Sequence, residues 1–516
     1  MFSFPCTLYV GMESAKVNPR SEGFLRRTVL AALYNLAKEV FRGGKLKKAL
    51  VCQCIALLAG LFVATGPSQA GLPKVLTQAL VKAGIQSDDV ALWIAPVGKT
   101  TPQLALNEKK VMKPASVVKV VSTVAALDLL GPDYRWKTRW LSDGLPDKNG
   151  TVSGLVFQGG GDPYYVIERL WLAAERLKNL GVRAVKGDIG VDRRLFAVAL
   201  GESFSDGQKT RSYNVQADAA QVNFRSVCME ITPMPEIGVA RIGTIPRLES
   251  FRVTREVPLT NGACNNWKKS LKARIDEKSV RFSGAFPSSC GAKVWPVTLW
   301  QPDQFLTKVF SQVFSEVGIR WTGTVKPVGK TSRRLTLLTE ESEPLSRLTV
   351  LMNKFSNNPM ADHLFLSLSF ADGHGTEMPA SYTQSRDVLL TWLRNRGIDD
   401  KSLYIENGSG LSRKTRISAE ALGRVISYSL TGPYAAEFLS SLPIAGVDGT
   451  MRTRPLTGSA HLKTGRMDGV RSVAGVLRDR YGKDWVVVIL INSNAAQNGI
   501  AAIDAVLDRI GQGDLP

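Results

Sequence analysis

Histidine is scarce in this sequence: 516 residues hold three, His363, His374 and His461. None lies in an H-E-x-x-H pattern, which excludes a zincin, and no serine sits in a G-x-S-x-G elbow, which argues against a Ser-His-Asp hydrolase. A nucleophilic serine here needs another base. Cysteine is scarce as well. Cys6, Cys52 and Cys54 fall in the first 70 residues, leaving Cys228, Cys264 and Cys290, and nothing has zinc-ligand spacing. Acid is outnumbered, 45 Asp and Glu against 66 Lys and Arg, a formal charge of +21. Residues 1 to 70 hold nine Lys/Arg and three Asp/Glu, so they contribute +6 and the remainder keeps +15. Basic surface of that size suits a polyanionic neighbour. No dense Lys/Arg run with interleaved aromatics follows the leader, so no nucleic-acid partner is expected.

What is present at the start is a three-part export signal. Lys45, Lys47 and Lys48 precede an apolar run from Ala49 to Thr65, then Gly66-Pro67-Ser68-Gln69-Ala70. That run is shorter than the ~20 residues a membrane span needs, and small residues end it, so cleavage after Ala70 and a periplasmic location are expected. Residues 1 to 44 leave two readings open: a long n-region, or a start further downstream. In an oxidising compartment, Cys264 and Cys290 are expected to pair and contribute ~3 kcal/mol, with Cys228 a buried free thiol.

The length suggests two or three domains. Periodicity places a helix over Leu72 to Ala83, a strand over Val90 to Pro96 with a hairpin partner at Leu104 to Leu106, and a helix opening at Pro114 and ending before Gly131-Pro132. From Tyr134 to about Pro327 short β-like runs alternate with Gly, Pro and Asn/Asp clusters, as inserted domains would. Helical periodicity resumes at Leu345 to Met352 and Ala361 to Ser369. Three strands, Ala460 to Lys463, Arg471 to Leu477 and Trp485 to Asn492, precede a last helix, Ile500 to Ile510.

Ser116-Val117-Val118-Lys119 is the sole S-x-x-K, although roughly two would arise by chance in this length. Spacing i, i+3 puts hydroxyl and amine on one helix face, where a neutral amine can take the serine proton. Ser356-Asn357-Asn358 offers a hydroxyl and a carboxamide two residues apart, a pattern that singly reads more often as a turn or cap. Lys463-Thr464-Gly465 ends a predicted strand, where a cation, a hydroxyl and a residue with no side chain let a substrate lie along the edge; chance supplies roughly 0.1 copies.

S-x-x-K, S-x-N and K-T-G in this order, with more than two hundred residues between the first two, resemble the class C low-molecular-mass penicillin-binding proteins, the D-alanyl-D-alanine carboxypeptidase/endopeptidase family of the penicillin-binding protein 4 type. Gly159-Gly160-Gly161-Asp162-Pro163, Glu406 to Arg413 and Leu442 to Thr450 look like further stretches of that family, and the resemblance covers residues 71 to 516. Two departures stand out: Asn407 where Asp is frequent, and Arg466 after the K-T-G where a small or hydroxyl residue is common.

The resemblance implies a serine D,D-peptidase acting on peptidoglycan stem peptides and cross-links, inhibited covalently by β-lactams, with no cofactor or metal. It implies that Ser116 is acylated, Lys119 is the base, Ser356 passes a proton to the leaving amine, and Asn358 orients the acyl side. Lys463, Thr464, Gly465 and Arg466 would bind substrate, with the Ser116 and Arg466 N–H groups as the oxyanion hole. Lys119 is expected to lose its proton and Lys463 to keep its own. The fold class implied is α/β: a transpeptidase-like domain, an antiparallel sheet flanked by helices, from 71-135 and 318-516, with one inserted domain from 136-155 and 225-317 and a second from 156-224, after a leader at 1-70. A β-lactamase or esterase on the same scaffold, a non-catalytic wall-binding protein, and peripheral contact with a membrane remain alternatives at this point.

Overall fold

The computed structural model describes residues 74–200, 210–329, 334–371, 378–398 and 403–515. The leader, its cleavage point and His374 lie outside the described residues. The sheet that carries the site has five antiparallel strands: β1 (Val90–Pro96), β2 (Leu104–Leu106), β3 (Ser459–Met467), β4 (Val470–Arg478) and β5 (Asp484–Asn492), in the order β2-β1-β5-β4-β3. Seven consecutive pairs join β1 to β5, from Val90 with Ile491 to Pro96 with Trp485. Val486, Val487, Val488, Ile489 and Leu490 are all buried, so both faces of the central strand are covered, and it reads as a continuous apolar run rather than an alternation. One face packs on the helices Lys74–Ala83 and Gly499–Gly511. The other carries the larger core, with Trp93, Val121, Phe365 and Leu422.

Through that larger core runs α1 (Lys119–Leu130). Lys119 through Leu127 are all buried, and a helix covered on all sides has no polar stripe to show. Its β-branched valines lower helix propensity, so its stability comes from packing, each buried Val contributing about 1.5–3 kcal/mol. α2 (Leu345–Phe355) and α3 (Asn358–Ser367) pack against it.

Residues 137 to 341 supply the β-rich remainder. One mixed sheet runs Val325–Pro327, Ile189–Asp192, Val156–Gln158, Lys137–Ser142, Leu335–Glu341. A second runs Phe286–Pro287, Glu256–Thr260, Val239–Ile245, Val227–Met234, Lys293–Val297, and a three-stranded sheet lies at 252–282. The pairing of the mixed sheet crosses the expected boundaries at 155/156 and 317/318. Lys137–Ser142 needs Val156–Gln158 and Leu335–Glu341 on its two sides to fill its ladder, and one core joins these segments from Trp140 to Val325.

Cys264 and Cys290 form the expected disulfide. Cys228 is not the free thiol expected of it: it is disulfide-bonded as well.

Candidate active site

The S-x-x-K motif begins one turn before α1. Ala115–Val118 forms a 3-10 turn, and Ala115 sits at φ 49°, a left-handed conformation that costs a residue with a β-carbon roughly 1 kcal/mol or more. Two glycines hold that turn in place by lacking side chains. A Cβ on Gly465 would come within 2.7 Å of the Pro114 carbonyl oxygen, and one on Gly410, itself at φ 78°, within 2.2 Å of the Ala115 oxygen. Ser472, opposite Gly465 on β4, donates to the Pro114 oxygen at 2.7 Å. K-T-G therefore lies in the middle of β3 rather than at the end of a strand at Lys463, because pairing with β4 runs on to Met467 and Val470.

Lys119 Nζ donates to Ser116 Oγ at 2.9 Å, to Asn358 Oδ1 at 2.8 Å and to the Ser409 carbonyl oxygen. These three acceptors use all three donors of an ammonium. Ser116 is half-buried, so a substrate can reach its oxygen, whereas Lys119 is fully buried. Burial lowers the Lys119 pKa to about 7, against the opposing pull of Asp362, which favours its charge. An amine near 7 is suited to proton transfer at neutral pH.

Ser356 follows α2 at φ 56°, and Asn357 then caps α3 by accepting from the Met360 N–H at 3.0 Å. The expected helix thus begins three residues earlier than Ala361, with Asn358 in its first turn and Pro359 suited to that position. Lys463 Nζ donates to Ser356 Oγ and to the Thr464 carbonyl oxygen, each at 2.9 Å. Thr464 Oγ1 donates to Thr450 Oγ1 at 2.7 Å, which brings the Leu442 to Thr450 stretch to the strand edge. The Arg466 side chain is exposed. Hydrogen bonds thus join all three motifs, Lys119 reaching Asn358 and Lys463 reaching Ser356.

The two lysines are not pushed apart as expected. Lys463 is fully buried and its pKa falls well below the usual lysine value, through burial first and the charge of Lys119 second. A carboxylate brought beside it would favour its charge.

Two groups escaped the sequence reading. Asp362 lies one turn after Asn358 on α3, buried, and accepts from the Ser409 N–H at 2.9 Å. Burial raises its pKa to about 7, with Lys119 opposing. It fixes the segment whose Ser409 oxygen holds Lys119. Its i, i+4 spacing from Asn358 was a usable signal; the Ser409 carbonyl, a main-chain group, gave none. Asn407, where the family often has Asp, accepts from Ser409 Oγ at 3.1 Å and the Gly410 N–H at 3.3 Å, so a carboxamide suffices to shape this loop. His363 is structural: its Nδ1 bonds the Gly161 oxygen at 2.9 Å and its Nε2 accepts from the Asp218 N–H at 3.3 Å, with burial pulling its pKa down to about 4. It docks the Gly159 to Pro163 stretch on α3. Asn358 Nδ2 donates to the Tyr213 oxygen at 3.2 Å, and a cavity of about 160 Å³ lies between Ser356–Pro359 and Tyr213, Phe224 and Pro296. Among the described residues no cluster of His, Cys, Asp and Glu could hold a metal.

Residues 72–510 match the profile of the D-Ala-D-Ala carboxypeptidase 3 (S13) family. The chain is 25% identical over 498 residues, 91% of each sequence, to a D-alanyl-D-alanine carboxypeptidase of Actinomadura sp. (strain R39). It is 25% identical over 396 residues, 75% of this chain and 81% of the other, to the D-alanyl-D-alanine carboxypeptidase DacB of Haemophilus influenzae. The crystal structure of penicillin binding protein 4 (dacB) from Haemophilus influenzae superposes with a TM-score of 0.68 at 21% identity, over 86% of this chain and 99% of that one, and so shares the fold.

Proposed function

The chain belongs to the D-Ala-D-Ala carboxypeptidase 3 (S13) family of serine D,D-peptidases, and on that premise we propose that its acyl-enzyme forms on Ser116 with Lys119 as base. The observation that carries this reading is the contact of Lys119 Nζ with Ser116 Oγ at 2.9 Å, in a buried setting that brings the amine to about 7. Ser116 Oγ attacks the carbonyl carbon of the D-alanyl bond while its proton passes to Lys119 Nζ. The backbone N–H groups of Ser116 and Arg466 hold the oxyanion; one such donor is worth about 3 kcal/mol of the barrier. As the C–N bond breaks, the proton reaches the leaving amine through Ser356, which Lys463 contacts at 2.9 Å. Water then attacks the ester carbonyl and gives its proton to Lys119, which passes it to Ser116 Oγ as the acyl–oxygen bond breaks, restoring the serine and the neutral amine. Lys463 and Thr464 take the terminal carboxylate, and Asn358 holds the acyl-side amide while supporting Lys119.

Peptidoglycan stem peptides and cross-links are the proposed substrates and β-lactams the proposed inhibitors; penicillin binding protein 4 of Haemophilus influenzae has been crystallised with a β-lactam. The segment from 137 to 341 reaches the site through Tyr213, with a cavity beside Ser356 between the two. No described helix is long and apolar enough to cross a membrane. Export by the leader, cleavage after Ala70 and action in the periplasm complete the reading. Peptide mapping of penicillin-treated protein is the test. The adduct is expected on the peptide containing Ser116, and Ser116→Ala is expected to lose both the adduct and the hydrolysis of a D-Ala-D-Ala peptide. Undiminished labelling of that variant would overturn the assignment, while labelling with no peptide hydrolysis would favour a binding or β-lactamase role.

A further inference from the structure

Across the mixed sheet from its helices lies a cleft of about 640 Å³, to which none of the residues assigned to the catalytic site contributes. One wall is the strand Lys137–Ser142 and the residues before it. Thr138 and Trp140 are buried at 2% and 0%, so the alternation that sends them inward leaves Lys137 and Arg139 facing the cleft, which Arg135 also lines just before the strand. Alternate residues of an extended chain are about 7 Å apart, which sets the spacing of these cations. Among the described lining residues the one acid, Asp192, is buried and paired with Arg194 at 2.7 Å, so this pair adds no net charge. Arg135 and Lys137 pair with Asp133 and Glu341, whose side chains are 81% and 51% exposed, and such surface pairs exchange readily. Arg139 has no carboxylate partner among the described residues; its one contact is with Gln158 at 3.4 Å. The facing wall is apolar, with Leu195, Phe196, Phe370 and Pro379.

We propose that this cleft is a second binding site, separate from the catalytic serine, for an extended peptide that carries carboxylates at alternate positions. An extended peptide lying along the strand repeats its side chains at the same spacing as the three cations, and guanidinium groups match carboxylates in a fork geometry. The apolar wall favours a ligand with hydrocarbon between its charges, which a phosphate chain does not offer. The volume is within the range of sites that enclose a short ligand.

The test is fluorescence anisotropy of a labelled (Glu-Ala)3 peptide with the full protein at low salt, before and after acylation by penicillin, with a linear polyphosphate of equal charge as competitor. Binding is expected to persist after acylation, to weaken as salt rises, and to fall at least ten-fold in Arg139→Glu. Lys137→Glu, at an exposed position, is expected to weaken it several-fold. Wild-type acylation rates in both variants would show that the catalytic domain is intact, and if Arg139→Glu does not fold, Lys137→Glu decides. Absence of peptide binding, its loss on acylation, undiminished binding by the variants, or tighter binding of polyphosphate than of peptide would each overturn the proposal.

Discussion

At the start of α1, Lys119 donates to Ser116 Oγ at 2.9 Å; on β3, Lys463 donates to Ser356 Oγ at the same distance. Both amines are fully buried, and burial is the first cause of the lowered pKa of each. What differs is the neighbourhood. At Lys119 the nearby Asp362 opposes the lowering, leaving its pKa at about 7, while at Lys463 the charge of Lys119 adds to the lowering by burial. One carboxylate thus distinguishes the surroundings of two buried amines, in keeping with the different roles proposed for them. The same chemical pair is repeated at two places in one site, and its surroundings are what the proposed division of labour rests on.

The largest expected effect comes from removing the base. Lys119→Arg keeps a cation but cannot accept a proton at neutral pH, so acylation by penicillin and by an ester should both fall by about 10³-fold or more, read from the rate of adduct formation. Lys463→Met, which removes the other amine, should be milder and selective. Acylation by penicillin, which bears a carboxylate, should fall by roughly 10² and that by an ester lacking one by far less, so equal losses would erase the proposed difference between the two lysines. The smallest effect on chemistry is expected far from both. Replacing Cys264 and Cys290 by serine should cost ~3 kcal/mol in unfolding, measured in denaturant, and leave acylation unchanged.

Much of the catalytic sheet was legible because its strands are apolar runs bounded by turn residues. Val90–Pro96 and Leu104–Leu106 matched the expected bounds, and the last three strands differed by a few residues at their ends. The K-T-G strand ran longer than expected because Gly465, weak in strand propensity, is there to let Pro114 and Ala115 approach. The three motifs were legible as residue types at set spacings. Their hydrogen-bonded connection was not, since it depends on tertiary approach of segments more than a hundred residues apart. The inserted sheets were legible only as a change of character near Tyr134, because which short strands pair is decided by partners distant in sequence, as Lys137–Ser142 with Leu335–Glu341 shows. Asp362 was legible only through its i, i+4 spacing from Asn358, since a lone acid on a helix otherwise reads as solvated surface and its burial beside Lys119 shows only in the fold.

The role of Asp362 is open to one direct measurement, the pH dependence of acylation by penicillin in the wild type and in Asp362→Asn. Asparagine keeps an acceptor for the Ser409 N–H and removes the charge. The negative charge raises the Lys119 pKa, so its loss lowers it. Wild-type acylation should rise with pH through about 7, as the amine deprotonates, and in Asp362→Asn the rise should move to lower pH. A profile left in place, or moved to higher pH, would contradict the claim that this carboxylate sets the charge of Lys119.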